Sequence, residues 1–334
     1  MSGSREDFLV LDDVKTHFDM GRDFFTRKSK GVVKAVDGVS LTIKEGETLG
    51  LVGESGCGKS TLSRTIMQLI RPTSGKIWLE GKELSAISDR DIRAVRKNFQ
   101  MIFQDPYASL NPRMTVMDTL SEAIRTRHPD AKGDDLIKRI TELLRKVGLN
   151  PAQMKRYPHE FSGGQRQRVA IARALAPEPK LIIADEPVSA LDVSIQSQIL
   201  NLLKRLKSEM GLTMIFISHD LSVVRYIADR IAVMYLGRIT ELGDAETIVD
   251  DPLHIYTKAL TSAIPVPDPN AEQSRERVIL QGDQPSPIDP PQGCNFWPRS
   301  PVEHDEHMKQ TVPEFAEVKA GHWVSNCPHC VEAN

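Results

Sequence analysis

A chain of 334 residues can hold one large domain and a smaller addition, and 40% hydrophobic with 26% charged residues is an ordinary soluble composition. The net charge of −2 gives no reason to expect nucleic acid or an anionic membrane as a partner. No apolar run approaches the ~20 residues that cross a bilayer, the acidic N-terminal segment is unlike a signal peptide, and four cysteines do not suggest a disulfide framework. We therefore expect a cytosolic protein that serves a membrane only through a partner.

The first part of the chain predicts strands. Residues 8–14 mix apolar and acidic side chains as an edge strand does, and the polar, basic stretch 19–30 predicts an exposed loop. Residues 32–43 alternate loosely, which predicts a β-hairpin with its turn at Asp37-Gly38.

An apolar run at 49–52 then leads into a glycine-rich loop and an amphipathic helix. The loop Gly53-Glu54-Ser55-Gly56-Cys57-Gly58-Lys59-Ser60 fits the phosphate-binding pattern of Gly, four residues, then Gly-Lys-Ser. Glycines let successive N–H groups line a concave anion site, and the helix N-terminus adds its positive dipole end. The alternative is a glycine-rich turn before an ordinary helix.

We expect Lys59 to reach the β- and γ-phosphates of a nucleotide and the Ser60 hydroxyl to ligate Mg²⁺. Cys57 occupies a free position of the pattern and is interpreted as a small tolerated residue, not a reactive thiol. The predicted phosphate-binding set is Gly53, Ser55, Gly56, Cys57, Gly58, Lys59, Ser60 and Thr61.

Beyond this helix, short apolar strands alternate with amphipathic helices. Strands are predicted at 76–79, 99–103, 181–184 and 213–217, helices at 91–96, 115–147, 166–175 and 195–206, and a terminal hairpin at 231–241. This alternation predicts an α/β fold with a parallel sheet wrapped by helices.

The apolar strand at 181–184 delivers Asp185 and Glu186 to the carboxyl edge of the sheet, where ligands bind in such folds. We expect Asp185 to hold Mg²⁺, through water, and Glu186 to polarise a water that attacks the γ-phosphate. The alternative is two solvated acids at a strand end.

The motifs along this chain resemble those of the ATP-binding cassette family, in that family's order, over roughly residues 8–260. Besides the phosphate loop and the acidic pair, they are the signature Phe161-Ser162-Gly163-Gly164-Gln165, Gln104 as the Q-loop, Ser189-Ala190-Leu191-Asp192 as the D-loop, and His219 as the switch histidine. The resemblance implies a P-loop NTPase (RecA-like) core with an antiparallel β-subdomain and a helical signature subdomain at about 109–165.

The resemblance also implies a mechanism in which two cassettes enclose two ATP molecules. The signature of one cassette closes over the γ-phosphate that the loop of the other holds, through Ser162, Gly163, Gly164 and Gln165. Gln104 would contact Mg²⁺ and the attacking water, and His219 would bind the γ-phosphate. Asp192 would lie at the nucleotide. Phe18 matches the aromatic on which adenine stacks, although a core or edge-strand role is an alternative and Phe24 or Phe25 could stack instead.

Three further stretches are similar to the ATPases of oligopeptide/dipeptide importers: 104–113, 252–267 and 285–299. This implies the ATPase subunit of a peptide importer, peripheral at the cytoplasmic face of the inner membrane, with residues 109–157 gripping the membrane subunits. The implied partners are a second homologous ATPase, forming a heterodimer, two transmembrane permease subunits and an extracytoplasmic solute-binding protein. Open alternatives are a soluble cassette ATPase in translation or DNA repair, a metal-sensing module, and an importer of nickel, glutathione, opines or oligosaccharides.

The composition changes from residue 265 onward, where 11 of the 21 prolines and three of the four cysteines lie. We therefore expect a loop-rich appendage at 261–334 that adds no sheet. Relatives often carry four cysteines in this region, and some of them bind an iron–sulfur cluster. Cys294 and Cys327 match that pattern, the middle positions fall on Ser300 and His307, and Cys330 is extra. A cluster is not expected, and an unligated tail is favoured over a zinc site drawn from Cys294, His304, His307, His322, Cys327 and Cys330.

Overall fold

A computed structural model describes residues 7–22, 30–264 and 278–331. Residue contacts divide the chain into two compact units. The first unit comprises Met1–Ile43, Leu49–Ser85 and Ser218–Asn334, and the second comprises Lys44–Thr48 and Ala86–Ile217. The C-terminal region thus packs within the first unit. The expected boundary after residue 260 and the helical subdomain at 109–165 stay predictions.

Strands and helices are numbered along the chain. The strands are β1 (Leu9–Asp19), β2 (Val32–Ile43), β3 (Thr48–Val52), β4 (Ser74–Leu79), β5 (Lys82–Glu83), β6 (Phe99–Ile102), β7 (Leu181–Asp185), β8 (Thr213–Ile217), β9 (Arg230–Tyr235), β10 (Arg238–Asp244), β11 (Phe315–Lys319) and β12 (His322–Ser325). The helices are α1 (Lys59–Ile66), α2 (Asp89–Val95), α3 (Pro106–Ser109), α4 (Val116–Arg125), α5 (Gly133–Lys146), α6 (Gly163–Leu175), α7 (Val193–Met210), α8 (Leu221–Ile227), α9 (Ala245–Asp250), α10 (Ile255–Ser262) and α11 (Glu306–Gln310).

The first unit contains an antiparallel sheet in the order β2-β1-β4-β5. The prediction that residues 8–14 form an edge strand is wrong, because β1 pairs with β2 on one side and β4 on the other. The predicted hairpin at 32–43 is also wrong, since β2 is one continuous strand. The register shifts from Val14 opposite Val39 to Lys15 opposite Asp37, so Gly38 forms a bulge where a turn was expected.

A second sheet region of this unit runs in the order β11-β12-β10-β9-β3. β3 pairs in parallel with β9, and β9 forms the predicted hairpin with β10. β12 then adds to β10, with Val324 opposite Glu241, and β11 adds to β12. The prediction that the tail adds no sheet is therefore wrong. Two short strands with the buried Val324 suffice to extend a sheet, even where prolines dominate the surrounding composition.

The second unit has parallel strands in the order β8-β7-β6. All five residues of β7 and all five of β8 are buried, as strands covered on both faces require. α6 and α7 bury apolar faces that include Val169, Ile171, Ile199 and Leu203. The predicted parallel α/β arrangement is thus present in this unit, and its strand ends position the acidic pair.

Candidate functional site

The glycine-rich loop follows β3 and leads into α1, as the motif requires. Gly53, Gly56 and Gly58 have φ angles of 150°, 80° and 109°. A Cβ on Gly53 would lie 2.2 Å from the carbonyl oxygen of Met234, and one on Gly58 would lie 2.0 Å from that of Ala35. Glycine is therefore required at both positions by close backbone packing as well as by conformation.

Lys59 is the first residue of α1 and is buried. Its Nζ donates hydrogen bonds to the carbonyl oxygens of Gly53, at 2.7 Å, and Glu54, at 2.8 Å, so the ammonium lies against the loop. The adjacent Cys57 thiol is buried, and burial raises its pKa, which agrees with an unreactive role. The other predicted phosphate-binding residues are more open, with Ser55 and Gly56 exposed and Gly58, Ser60 and Thr61 half-buried.

The acidic pair lies at the carboxyl end of β7. Asp185 is the last residue of that strand and is buried. Glu186 has a φ of 46°, and its N–H donates to the carbonyl oxygen of Ile217 at 3.0 Å. Gln104 follows the parallel strand β6, and its Nε2 donates to Glu186 Oε2 at 2.9 Å. The structure therefore brings together the side chains predicted to act as the Q-loop glutamine and the catalytic carboxylate.

The predicted switch histidine and adenine-stacking aromatic are both on the surface. His219 is exposed two residues after β8. Phe18 lies on β1 opposite Val33 and is 38% exposed, so it is not a core residue. Its stacking role stays a prediction. Phe24 and Phe25, the alternatives, lie outside the described residues.

The signature forms the start of α6. Ser162 is exposed and caps the helix: its Oγ accepts a hydrogen bond from the N–H of Gln165, and Gln165 Oε1 accepts one from the N–H of Ser162 at 3.1 Å. This capping box gives Gln165 a structural task in addition to the predicted nucleotide contact. Gly163 and Gly164 supply the first N–H groups at the positive end of the helix, a suitable site for a phosphate.

The D-loop residue Asp192 is exposed at the N-cap position of α7. The next residue, Val193, is 78% exposed. The motifs did not predict a contact near the signature, where the Arg166 guanidinium stacks 3.8 Å from the ring centroid of the exposed Tyr107. The ring quadrupole attracts the guanidinium and so holds the two side chains together.

Sequence reasoning also missed a brace behind the phosphate loop. Arg299 donates from Nη1 and Nη2 to the two carboxylate oxygens of Glu54, at 2.5 and 3.1 Å. The Tyr256 hydroxyl accepts a hydrogen bond from the N–H of Glu54 at 2.9 Å. Both residues belong to stretches that the sequence analysis noted for their resemblance, but nothing local pairs them with residue 54.

Four donor residues of the C-terminal region converge at one buried point. These residues are Cys294, His304, Cys327 and Cys330. Their sulfur and imidazole nitrogen atoms all lie within 4.8 Å of one another. Thiol hydrogen bonds from Cys294 and Cys330 hold the pKa of Cys327 to about 2.

His307, one of the candidates for the alternative zinc site, does not lie with these cysteines. His307 is exposed on α11, with Nδ1 3.5 Å from the Thr311 hydroxyl, because α11 turns it away from the cluster. His322 is also elsewhere, in a buried contact of 2.7 Å between its Nε2 and Glu241 Oε1.

No helix among the described residues combines the length and apolar character needed to traverse a bilayer.

The model of the ABC transporter family matches residues 36–189, and the model of the C-terminal region of oligopeptide/dipeptide transporters matches residues 240–307. Among solved structures, a post-hydrolysis dimer of the ATP-binding cassette MJ0796 with ADP and phosphate aligns with a TM-score of 0.63 and 32% identity, covering 71% of this chain and 98% of that one.

Curated relatives match over nearly the whole length. The oligopeptide transport ATP-binding protein OppF of Salmonella typhimurium is 54% identical over 311 residues, or 92% of each chain. The oligopeptide transport ATP-binding protein AppF of Bacillus subtilis is 52% identical over 325 residues, or 97% of this chain and 98% of that one. The chain therefore belongs to the ABC transporter family, as an ATPase subunit with the C-terminal region of the oligopeptide/dipeptide type.

Proposed function

We propose that this chain hydrolyses ATP to ADP and phosphate to energise the import of peptides. The observation that carries this proposal is the sequence identity above 50% to oligopeptide transport ATP-binding proteins along more than nine-tenths of the chain, tail included. The tail matters because the cassette alone is shared with transporters of many solutes.

In the proposed reaction, Glu186 orients and polarises the attacking water, and Gln104 holds that carboxylate in place. The 2.9 Å hydrogen bond between them supports these roles, since a base must be positioned before it can act. The Ser60 hydroxyl and the Asp185 carboxylate are hard oxygen donors of the kind that Mg²⁺ prefers, and the ion would neutralise charge on the phosphate oxygens. Lys59 and the N–H groups of the loop would bind the phosphates.

The proposed active form is a pair of cassettes. Ser162 is exposed, and the N–H groups of Gly163 and Gly164 begin a helix of 13 residues, so the signature can receive a phosphate held by another subunit. In this proposal ATP binding closes the pair, His219 contacts the γ-phosphate, and hydrolysis reopens it. The partner cassette is a second, homologous ATPase, Gln165 and Asp192 lie at the shared nucleotide, and Phe18 stacks on adenine.

The remaining proposed partners are two permease subunits and an extracytoplasmic solute-binding protein, with this chain peripheral at the cytoplasmic face of the membrane. Residues 109–157 would contact the permeases. The stacked pair of Tyr107 and Arg166 offers an exposed aromatic and cationic surface beside this segment.

Uptake of a radiolabelled peptide in a strain that lacks the gene tests the proposal. The wild-type gene should restore uptake, whereas Glu186→Gln should not. Glu246→Gln, at an exposed glutamate on α9, serves as the matched control and should restore it. Peptide uptake unaffected by the deletion, together with lost uptake of nickel, glutathione, an opine or an oligosaccharide, would contradict the peptide assignment.

A further inference from the structure

The four donors of the C-terminal cluster have the spacing of a single metal ion's ligands. Cys294 Sγ lies 3.6 Å from Cys330 Sγ, and His304 Nε2 lies 3.1 Å from Cys330 Sγ and 3.4 Å from Cys327 Sγ. Zinc–sulfur bonds of about 2.3 Å and zinc–nitrogen bonds of about 2.0 Å in a tetrahedron place ligand atoms about 3.5–3.8 Å apart. The observed separations are close to these values.

The imidazole of His304 is oriented as a metal ligand. Its Nδ1 lies 3.0 Å from the carbonyl oxygen of Val302, which can only accept a hydrogen bond, so the ring proton is on Nδ1. The lone pair of Nε2 then points toward the sulfur atoms. A ligating histidine is commonly fixed in this way, by donation from its other nitrogen to a backbone carbonyl.

The four side chains of the cluster are almost completely buried, which favours a structural role for them. Cys294 and His304 are each 3% exposed, and Cys327 and Cys330 are fully buried. The turn from Cys327 to Cys330 is held by the N–H groups of Cys330 and Val331, which both donate to the Cys327 carbonyl oxygen. Two cysteines separated by two residues on such a turn are typical of zinc sites.

We propose that Cys294, His304, Cys327 and Cys330 bind one Zn²⁺ in a closed structural site. An iron–sulfur cluster is disfavoured because its ligands bind different iron atoms and must stand farther apart than donors that fit within 4.8 Å. The ligand set also departs from the four-cysteine pattern of the resemblance, since Ser300 and His307 take no part.

The ion would fasten the C-terminal segment to the rest of the first unit. The Cys330 carbonyl oxygen accepts a hydrogen bond from Ile255, the first residue of α10, at 2.8 Å. Cys294 precedes Phe296, whose ring packs edge-on against Tyr235 at 5.3 Å. Five residues beyond Cys294, Arg299 reaches the phosphate loop. Zinc binding would thus stabilise the segment that braces Glu54.

Elemental analysis of the full-length protein, purified anaerobically without added metal or tags that bind metal, tests the assignment. We expect about one zinc per chain and negligible iron and acid-labile sulfide. Stoichiometric iron with sulfide would overturn the proposal. A metal-free protein with three titratable buried thiols, or a Cys294–Cys330 disulfide found by mass spectrometry, would overturn it as well.

Variants and cobalt substitution identify the ligands. Cys330→Ser should lower zinc content to near zero, His304→Cys should retain it, and His307→Ala, the exposed control, should leave it unchanged. Protein produced in cobalt medium should show the thiolate charge-transfer and d–d bands of a tetrahedral site, a readout that does not require Cys330→Ser to fold. Octahedral cobalt spectra, or full zinc content in folded Cys330→Ser, would exclude this ligand set.

Discussion

Glu186 has a backbone conformation that residues other than glycine rarely adopt. Its φ of 46° has a cost of about 1–3 kcal/mol, which the surrounding structure must offset. The hydrogen bonds to Ile217 and Gln104 hold the residue there. Strain retained at the end of a buried strand, beside a second polar side chain, is typical of a residue that acts in catalysis.

We expect Glu186→Gln to lower ATP turnover by about 10²-fold or more and to leave ATP affinity nearly unchanged. Glutamine has the same shape and can still accept a hydrogen bond from Gln104, but it cannot polarise water as a carboxylate does. Steady-state hydrolysis and equilibrium nucleotide titration measure the two quantities, with Glu246→Gln as the control. Turnover above about a tenth of the wild-type value would remove Glu186 from the proposed role.

At the scale of elements, the start of α6 is fixed by contact with α7. A Cβ built on Gly164 would lie 2.6 Å from Ile195 Cγ2, whereas one on Gly163 would meet Leu191 Cδ2 at 3.6 Å, an ordinary contact. The two glycines of the signature therefore differ in their structural need for glycine, although they are adjacent.

We expect Gly164→Ala to lower the free energy of unfolding by about 1 kcal/mol, because overpacking against Ile195 outweighs the gain in helix propensity. Gly163→Ala should be neutral or slightly stabilising. Urea unfolding of both variants measures the difference. Equal stability of the two variants would show that the contact of Gly164 with α7 relaxes without cost.

On the scale of the whole molecule, the C-terminal region and the phosphate loop meet across a sequence separation of 245 residues. Arg299 is almost buried and pairs with both oxygens of Glu54, and Tyr256 accepts from the same residue's N–H. The loop is thus held from behind by the tail as well as by β3 and α1.

A double-mutant cycle with Arg299→Met and Glu54→Gln measures this brace. We expect a coupling free energy of about 1–3 kcal/mol, since the pair is bidentate and mostly shielded from water. Each single variant should also bind ATP more weakly. Arg225→Met, which breaks an exposed pair with Asp250, is the control and should cost less than about 1 kcal/mol. Additive effects of the first two substitutions would mean that the contact contributes nothing.

Much of this architecture could be predicted because the signals are local. The Gly-x4-Gly-Lys-Ser spacing, the apolar run before Asp185 and the helical face behind Ser162 each depend on residues close together in sequence, and each has the predicted local structure. The continuous strand β2 was missed because its bulge at Gly38 uses the same residues as a turn. Strands β11 and β12 were missed because they are short and lie in a proline-rich segment.

The sequence by itself determined the order of motifs, the α/β class and the residue types available for nucleotide chemistry, since backbone conformation at glycines and strand ends follows from neighbouring residues. Only the tertiary structure decided which distant side chains meet: Gln104 with Glu186, Arg299 with Glu54, and His304, not His307, with the three cysteines. Such pairs depend on how strands align and how the tail packs, and those are properties of the whole fold that no local pattern contains.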